Sequence, residues 1–209
     1  MNYLISFFIG YLLGSIPTAY LILKRSRGLD IRNAGSTNVG AKNAYDITNS
    51  RSIGFVVLGI DFLKGLAAVF IARSLFPDSF ILPMITLIAA VLSHCYNPWL
   101  SFKGGKGLAT TAGGAVLLLP VLLLLWLLIW IVAYIFKRNI LFGNITATIL
   151  TWALYITSDD ILNKYSLPPA ESLTTLKITI SILLIIILSR HYDSLIELFS
   201  GNFFNRRKD

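Results

Sequence analysis

Six uninterrupted apolar runs dominate this chain, at roughly 3–23, 53–75, 80–100, 108–136, 140–157 and 173–189. About 20 apolar residues suffice to cross the hydrocarbon core of a bilayer, where each backbone N–H and C=O must be satisfied without water. The runs are continuous rather than striped, so they predict membrane-spanning helices and not the one-sided helices of a soluble core. Composition agrees. Hydrophobic residues make up 56% and charged residues 13% of the 209, and mean hydropathy is +0.73, whereas a soluble domain carries about 25% charge. The expected fold class is all-α, a polytopic membrane protein.

The fourth run is too long for one crossing. Its 29 residues would reach about 43 Å at about 1.5 Å per residue, against a core of about 30 Å. Pro120, near its middle, has no backbone N–H and predicts the end of one short helix and the start of another. Six or seven spans follow, and the placement of Lys and Arg separates them. With seven spans and an outside N-terminus, segments 24–51, 100–107, 137–139 and 190–209 fall inside and carry 14 of the 18 Lys and Arg. The outer turns near 76–79 and 119–121 carry none, and 158–172 sets Lys164 among Asp159, Asp160 and Glu171. Six spans would turn Lys137, Arg138 and the tail Arg206-Arg207-Lys208 outward. The expectation is therefore seven transmembrane helices, some short or broken, with the N-terminus outside and the C-terminus cytoplasmic.

In such a chain a net charge of +8 reads as cytoplasmic loops facing anionic headgroups, not as nucleic-acid binding. The single cysteine, Cys95, excludes an internal disulfide framework and a cysteine metal cluster, and it reads as packing. No basic segment precedes the first apolar run, and Lys24-Arg25-Ser26-Arg27 follows it, so an uncleaved first helix is expected. With no repeat or linker in sight, residues 1–209 are expected to form one domain.

Three inside features carry chemistry. Asn33–Asn43 is rich in small residues, which let backbone amides approach an anion, and Ser36, Asn38 and Asn43 add neutral polar groups; it reads equally as a flexible turn-rich loop. Ser101-Phe102-Lys103-Gly104-Gly105-Lys106-Gly107 opens a helix at Leu108-Ala109-Thr110-Thr111. Free amides, a positive helix end and two ammonium groups together make a phosphate cradle. It is not a nucleotide-binding P-loop, because no Gly stands five positions before Gly105 and Lys106 precedes Gly107 rather than Ser or Thr. Thirdly, Asp61 and Lys64 are three apart within the second run; they share a helix face and can pair, and charge inside a span points to function or to a pinning ion pair. His94, near the inside end of the third run, is within reach of the glycine cradle.

These residues resemble the bacterial acyl-phosphate-dependent glycerol-3-phosphate acyltransferases. The block from His94 to Thr110 is similar to that family's H-x-x-x-P-x-x-x-F-K-G-G-K-G-x-A-T motif, and Gly35–Asn43 to its G-S-G-N-x-G-A-T-N. Asp61-Phe62-Leu63-Lys64-Gly65 matches D-x-x-K-G, and Gly14–Tyr20 also looks familial. The resemblance covers most of the chain. It implies seven spans, an outside N-terminus and the inner membrane of a bacterium, with the site facing the cytoplasm. The implied partners are acyl phosphate, glycerol 3-phosphate and membrane lipids, with neither cofactor nor metal. The implied reaction moves a fatty acyl group to the 1-hydroxyl of glycerol 3-phosphate, giving lysophosphatidic acid. Acyl phosphate is already activated, so the protein needs mainly to position the substrates and stabilise an oxyanion, and the donor's phosphate can take the hydroxyl proton. Trp99 stands where a His-x-x-x-x-Asp dyad would need Asp. The residues expected at the chemistry are His94, Ser36, Asn38 and Lys106. Lys103, Gly104, Gly105, Gly107, Thr110, Asn43 and Lys64 are expected to bind substrate phosphate.

The chain departs from the pattern at Thr37 (Gly in the family), Lys42 (Thr) and Asp46 (Arg). Leu141 and Asn144 replace serines, and the tail's N-I-x-R-L reads Ser194-Leu195-Ile196-Glu197-Leu198. Two carboxylates in place of cations should cost roughly 1–3 kcal/mol per lost charge-assisted bond, with Lys42, Arg51 or Arg190 as compensating charges. A divergent paralogue with another acceptor, a transporter or binding protein for a phosphorylated lipid precursor, and an accessory subunit without turnover are the rival readings.

Overall fold

Pro17 and Pro120 set the two interruptions around which this helical bundle is arranged. In the computed structural model, which describes residues 1–192 and 196, the first apolar run is α1 (Asn2–Gly14) and α2 (Thr18–Arg27), broken at Ser15-Ile16-Pro17. One continuous first helix was expected; proline at the head of α2 has no N–H to continue the ladder, so the run bends there. α3 (Ala41–Thr48) is short, and α4 (Arg51–Leu75) and α5 (Ile81–Cys95) follow. The fourth run divides, as Pro120 predicts, into α6 (Leu108–Leu118) and α7 (Pro120–Lys137). α8 (Ile140–Thr157), a five-residue α9 (Asp159–Asn163) and α10 (Leu173–Ser189) complete the described elements. Glu197, the rest of the 194–198 motif apart from Ile196, and the tail Arg206-Arg207-Lys208 lie outside the described residues.

Among the described residues, five segments are long and apolar enough to cross a membrane: Asn2–Arg27 taken through its break, Arg51–Leu75, Ile81–Leu100, Pro120–Lys137 and Ile140–Thr157. The other two apolar helices, α6 and α10, have 11 and 17 residues. At about 1.5 Å per residue α6 reaches only about half of a core about 30 Å thick.

A break between two apolar helices is tolerated when its backbone groups find other partners. Here Arg73 of α4 donates to the Leu117 carbonyl at 2.6 Å, and the Leu167 amide donates to the Leu118 carbonyl at 2.9 Å. Arg73→Met keeps the apolar stem and removes that donor. It should cost about 1 kcal/mol, the scale of one hydrogen bond lost at a partly buried carbonyl, read as a lower melting temperature of the detergent-solubilised protein.

Two tight contacts position the site. Small residues let helices approach closely in lipid, and a Cβ built on Gly10 or Gly14 of α1 would overlap the Thr86 or Ala90 carbonyl of α5. Likewise α4 and α6 touch through Gly65 against the Thr110 carbonyl and Gly113 against the Phe62 carbonyl. The main core gathers Phe80 with Met84, Leu87 and Val91 of α5, Leu118, Leu119 and Tyr155, and Leu176, Ile180, Leu183, Leu184 and Ile187 of α10. Cys95 packs in this cluster, as its isolation in the sequence suggests.

Candidate active site

Two loops meet at one end of the bundle. The first leaves α2 through Gly28 in the left-handed region (φ 67°). Asp30 then caps a turn at Ile31–Asn33 and holds Arg32 through two oxygens, at 3.0 and 2.6 Å. That guanidinium holds the Asp30 carboxyl at about 2, below its usual 3.8. The loop closes on Asn43, whose Oδ1 accepts from the Ser36 amide at 2.9 Å while Nδ2 donates to the Ala34 and Asn38 carbonyls at 3.0 Å. Gly35 is required beside it, because its φ is 58° and a Cβ would overlap Asn43 Oδ1.

The second loop is built by His94–Gly107. Asn97 caps the turn Pro98–Leu100 and donates to the Ser15 carbonyl at 2.7 Å, and Trp99 Nε1 donates to Ser15 Oγ at 3.1 Å. The break in the first apolar run is thus what receives this loop. The Gly105 amide donates to the His94 carbonyl at 3.1 Å, and the Gly104 carbonyl accepts from Val39 N at 3.2 Å, which joins the two loops. Arg190, just past α10, donates to the Gly104 and Gly105 carbonyls at 3.2 Å each and lies over the Tyr96 ring. Gly107, with φ 80°, then starts α6, which carries no side-chain cap.

Between the loops lies a cavity of about 700 Å³. Of the expected residues, His94, Ser36, Asn38, Asn43, Lys103, Lys106 and Gly107 line it. Leu108 and Ala109 line it too, so the uncapped start of α6, with its positive dipole end, faces the space. Arg32, Lys42 and Arg190 raise the cationic lining, and among the described residues Asp61 is its carboxylate.

Four expectations change. Gly104 and Gly105 do not line the cavity, and the Gly105 amide is occupied; a Cβ on either would overlap His94. Their smallness serves close approach rather than amides aimed at an anion. Thr110 is fully buried with its carbonyl against Gly65, on the α4 side of α6 rather than on the cavity. Asn43 lines the space, but its amide is occupied in the loop, so it shapes the site from beneath. Lys64 sits behind the lining, ion-paired to Asp61 at 2.9 Å and 2.8 Å from His94 Nδ1.

The departures from the family pattern also acquire places. Asp46 does not line the cavity; its carboxylate pairs with Lys42 at 2.5 Å, one helical turn away. The sign change is therefore met at i, i+4 by Lys42, one of the compensating charges named from the sequence. Leu141 and Asn144 both line the cavity, with Asn144 Oδ1 accepting from Trp130 Nε1 at 2.8 Å. Arg32 and His191 had not been singled out. Arg32 is legible two residues from Asp30, whereas His191 is placed by tertiary packing alone. Burial first, then the charge of Lys106, pulls His191 down to about 4, and its Nδ1 donates to the Ile187 carbonyl at 2.9 Å.

A family model described as glycerol-3-phosphate acyltransferase matches residues 4–201. A curated relative from Moorella thermoacetica, glycerol-3-phosphate acyltransferase 2, is 41% identical over 145 residues, which is 69% of this chain and 73% of that one. Among solved structures, the glycerol 3-phosphate form of PlsY (YgiH), an integral membrane glycerol 3-phosphate acyltransferase, superposes with a TM-score of 0.79 and 31% identity over 96% of this chain and 94% of that one. Its lysophosphatidic acid form superposes with a TM-score of 0.77 and 30% identity, covering 96% and 93%.

Proposed function

The chain belongs to the glycerol-3-phosphate acyltransferase family, and we propose that it transfers a fatty acyl group from acyl phosphate to the 1-hydroxyl of glycerol 3-phosphate, releasing lysophosphatidic acid and phosphate. The observation that carries this reading is the single cavity on which Ser36 and Asn38 of one loop meet Lys103, Lys106 and the head of α6 from the other. Each substrate carries a phosphate, and the cavity presents cations from both loops together with a helix N-terminus. The acceptor oxygen forms a bond to the acyl carbon, the bond from that carbon to the donor's phosphate oxygen breaks, and the departing phosphate takes the hydroxyl proton. Positioning and charge stabilisation are the work left to the protein. Ser36 and Asn38 orient the polar groups, and Lys103 and Lys106 hold phosphate charge.

The topology that suits this chemistry has seven membrane segments, counting α6 and α10, in one domain over 1–209. Its N-terminus is outside, and the two loops face the cytoplasm of a bacterium, where glycerol 3-phosphate is available. The acyl tail lies among membrane lipids beside the bundle. A product assay with radiolabelled glycerol 3-phosphate and palmitoyl phosphate tests the reading, with other polyol phosphates as competing acceptors. Lysophosphatidic acid is the expected product. Its absence, alongside uptake of label into sealed vesicles, would return the reading to transport. A faster reaction with another polyol phosphate would mark a changed acceptor.

A further inference from the structure

We propose that Lys64 fixes His94 as a neutral imidazole protonated on Nε2, making it a permanent hydrogen-bond donor to the cavity and excluding it as the base. The inference starts from the donor inventory. A lysine ammonium has three N–H groups and no acceptor. Lys64 is buried, paired with Asp61 at 2.9 Å, and donates to the Ile16 carbonyl at 3.1 Å. That carbonyl stands in the break between α1 and α2, before Pro17, which has no N–H. An ammonium has no lone pair to offer, so Lys64, held by the Asp61 charge and the Ile16 carbonyl, meets its third neighbour, His94 Nδ1 at 2.8 Å, as a donor.

Nδ1 must then present its lone pair. An imidazolium, or the Nδ1–H tautomer, would set N–H against N–H at 2.8 Å within a buried group. The ring proton therefore resides on Nε2. Nε2 lies against Gly105, where a Cβ would overlap it, and makes no hydrogen bond among the described residues. His94 lines the cavity, and Nε2–H is the ring donor that an acceptor bound there, a phosphate or developing acyl oxygen, would meet.

Lys64 is in this sense a positioning residue acting through His94. The functional half of the inference rests on the acyltransferase reading, and its proton balance follows: the hydroxyl proton leaves with the phosphate, while His94 keeps its own.

The test has two arms. The chain has two histidines, so 15N NMR of histidine-labelled protein in a His191→Asn background reads His94 alone, without substrate. Unprotonated Nδ1 and protonated Nε2 throughout neutral pH are expected; a protonated Nδ1 or an imidazolium would overturn the proposal. In turnover, His94→Gln retains a donor near the Nε2 position and should keep kcat within about tenfold of the unsubstituted protein, whereas His94→Ala should lose about a hundredfold or more. Equal losses in the two variants, both folded, would show that the donor is not what the site needs. Because the NMR arm requires no catalysis, a failed tautomer and a failed acyltransferase reading give different results.

Discussion

Lys106→Ala lowers the rate of acyl transfer by about a hundredfold to a thousandfold, the scale of losing one preorganised donor to developing charge, while the protein still inserts and folds. Lys106 lines the cavity immediately before Gly107, whose left-handed conformation sets the uncapped first turn of α6 toward the same space. An ammonium beside a helix N-terminus acts on one anion with it. Removing the charge leaves the helix dipole and Lys103 to hold a dianionic phosphate. Lys106→Arg keeps the charge and should retain most of the activity. Lysophosphatidic acid formation reports the rate, and size-exclusion with circular dichroism reports the fold. Undiminished transfer by a folded Lys106→Ala protein would remove Lys106 from the chemistry. A low background from phosphate-driven proton transfer is expected even in the variant, because the donor is chemically activated before it binds.

The second large effect is on folding. Gly113→Ala should destabilise the protein by roughly 1–3 kcal/mol or more, the range for overpacking a closed contact, because the new Cβ would overlap the Phe62 carbonyl and crowd the Leu66 amide of α4. Backbone cannot yield as a side-chain tip can, so α6 must move away from α4. Gly65→Ala strikes the same seam through the Thr110 carbonyl. Once one substitution has parted the helices, the other costs less, so the double variant should lose less than the two single losses combined. Gly59 supplies the control: it lies on α4 with nothing within 4 Å of an added Cβ. Gly59→Ala should be neutral or stabilising by up to about 1 kcal/mol from helix propensity. Thermal melts in detergent give the ranking. Parting α4 from α6 also draws Asp61 and Lys64 away from the head of α6, so activity should fall faster than stability.

Much of the bundle was legible from composition and order. Continuous apolar runs announce helices in a membrane, and Pro120 divides the fourth run for a reason local to proline. The pairing of Asp61 with Lys64 follows from an i, i+3 spacing on one helix. The break at Pro17 is not demanded by length, since 3–23 suffices for a single span, although proline acts there as it does at 120. Its role was hidden for another reason: Ser15 and Ile16 receive Trp99, Asn97 and Lys64, residues separated from them by 48 to 84 positions.

The site shows the same division. That Ser36, Asn38, Lys103, Lys106 and His94 belong together was carried by motif, and they do line one cavity. What each atom does was not. Gly104 and Gly105 looked like donors to an anion and instead make room for His94. Thr110 looked like a phosphate ligand and instead faces α4, because the crossing of α4 and α6 sets which side of α6 the cavity meets.

The one-dimensional chain thus determined everything that depends on neighbours within about two helical turns: which runs enter the membrane, where proline stops a helix, which side chains share a face, and that Lys42 can answer Asp46. Only the tertiary structure decided which donor meets which acceptor. Those pairings join positions tens of residues apart, and a hydrogen bond tolerates a few tenths of an ångström, far less than helix spacing read from sequence can specify. The membrane was written in the runs, and the tautomer of His94 was settled by where Lys64, Asp61 and the Ile16 carbonyl come to rest.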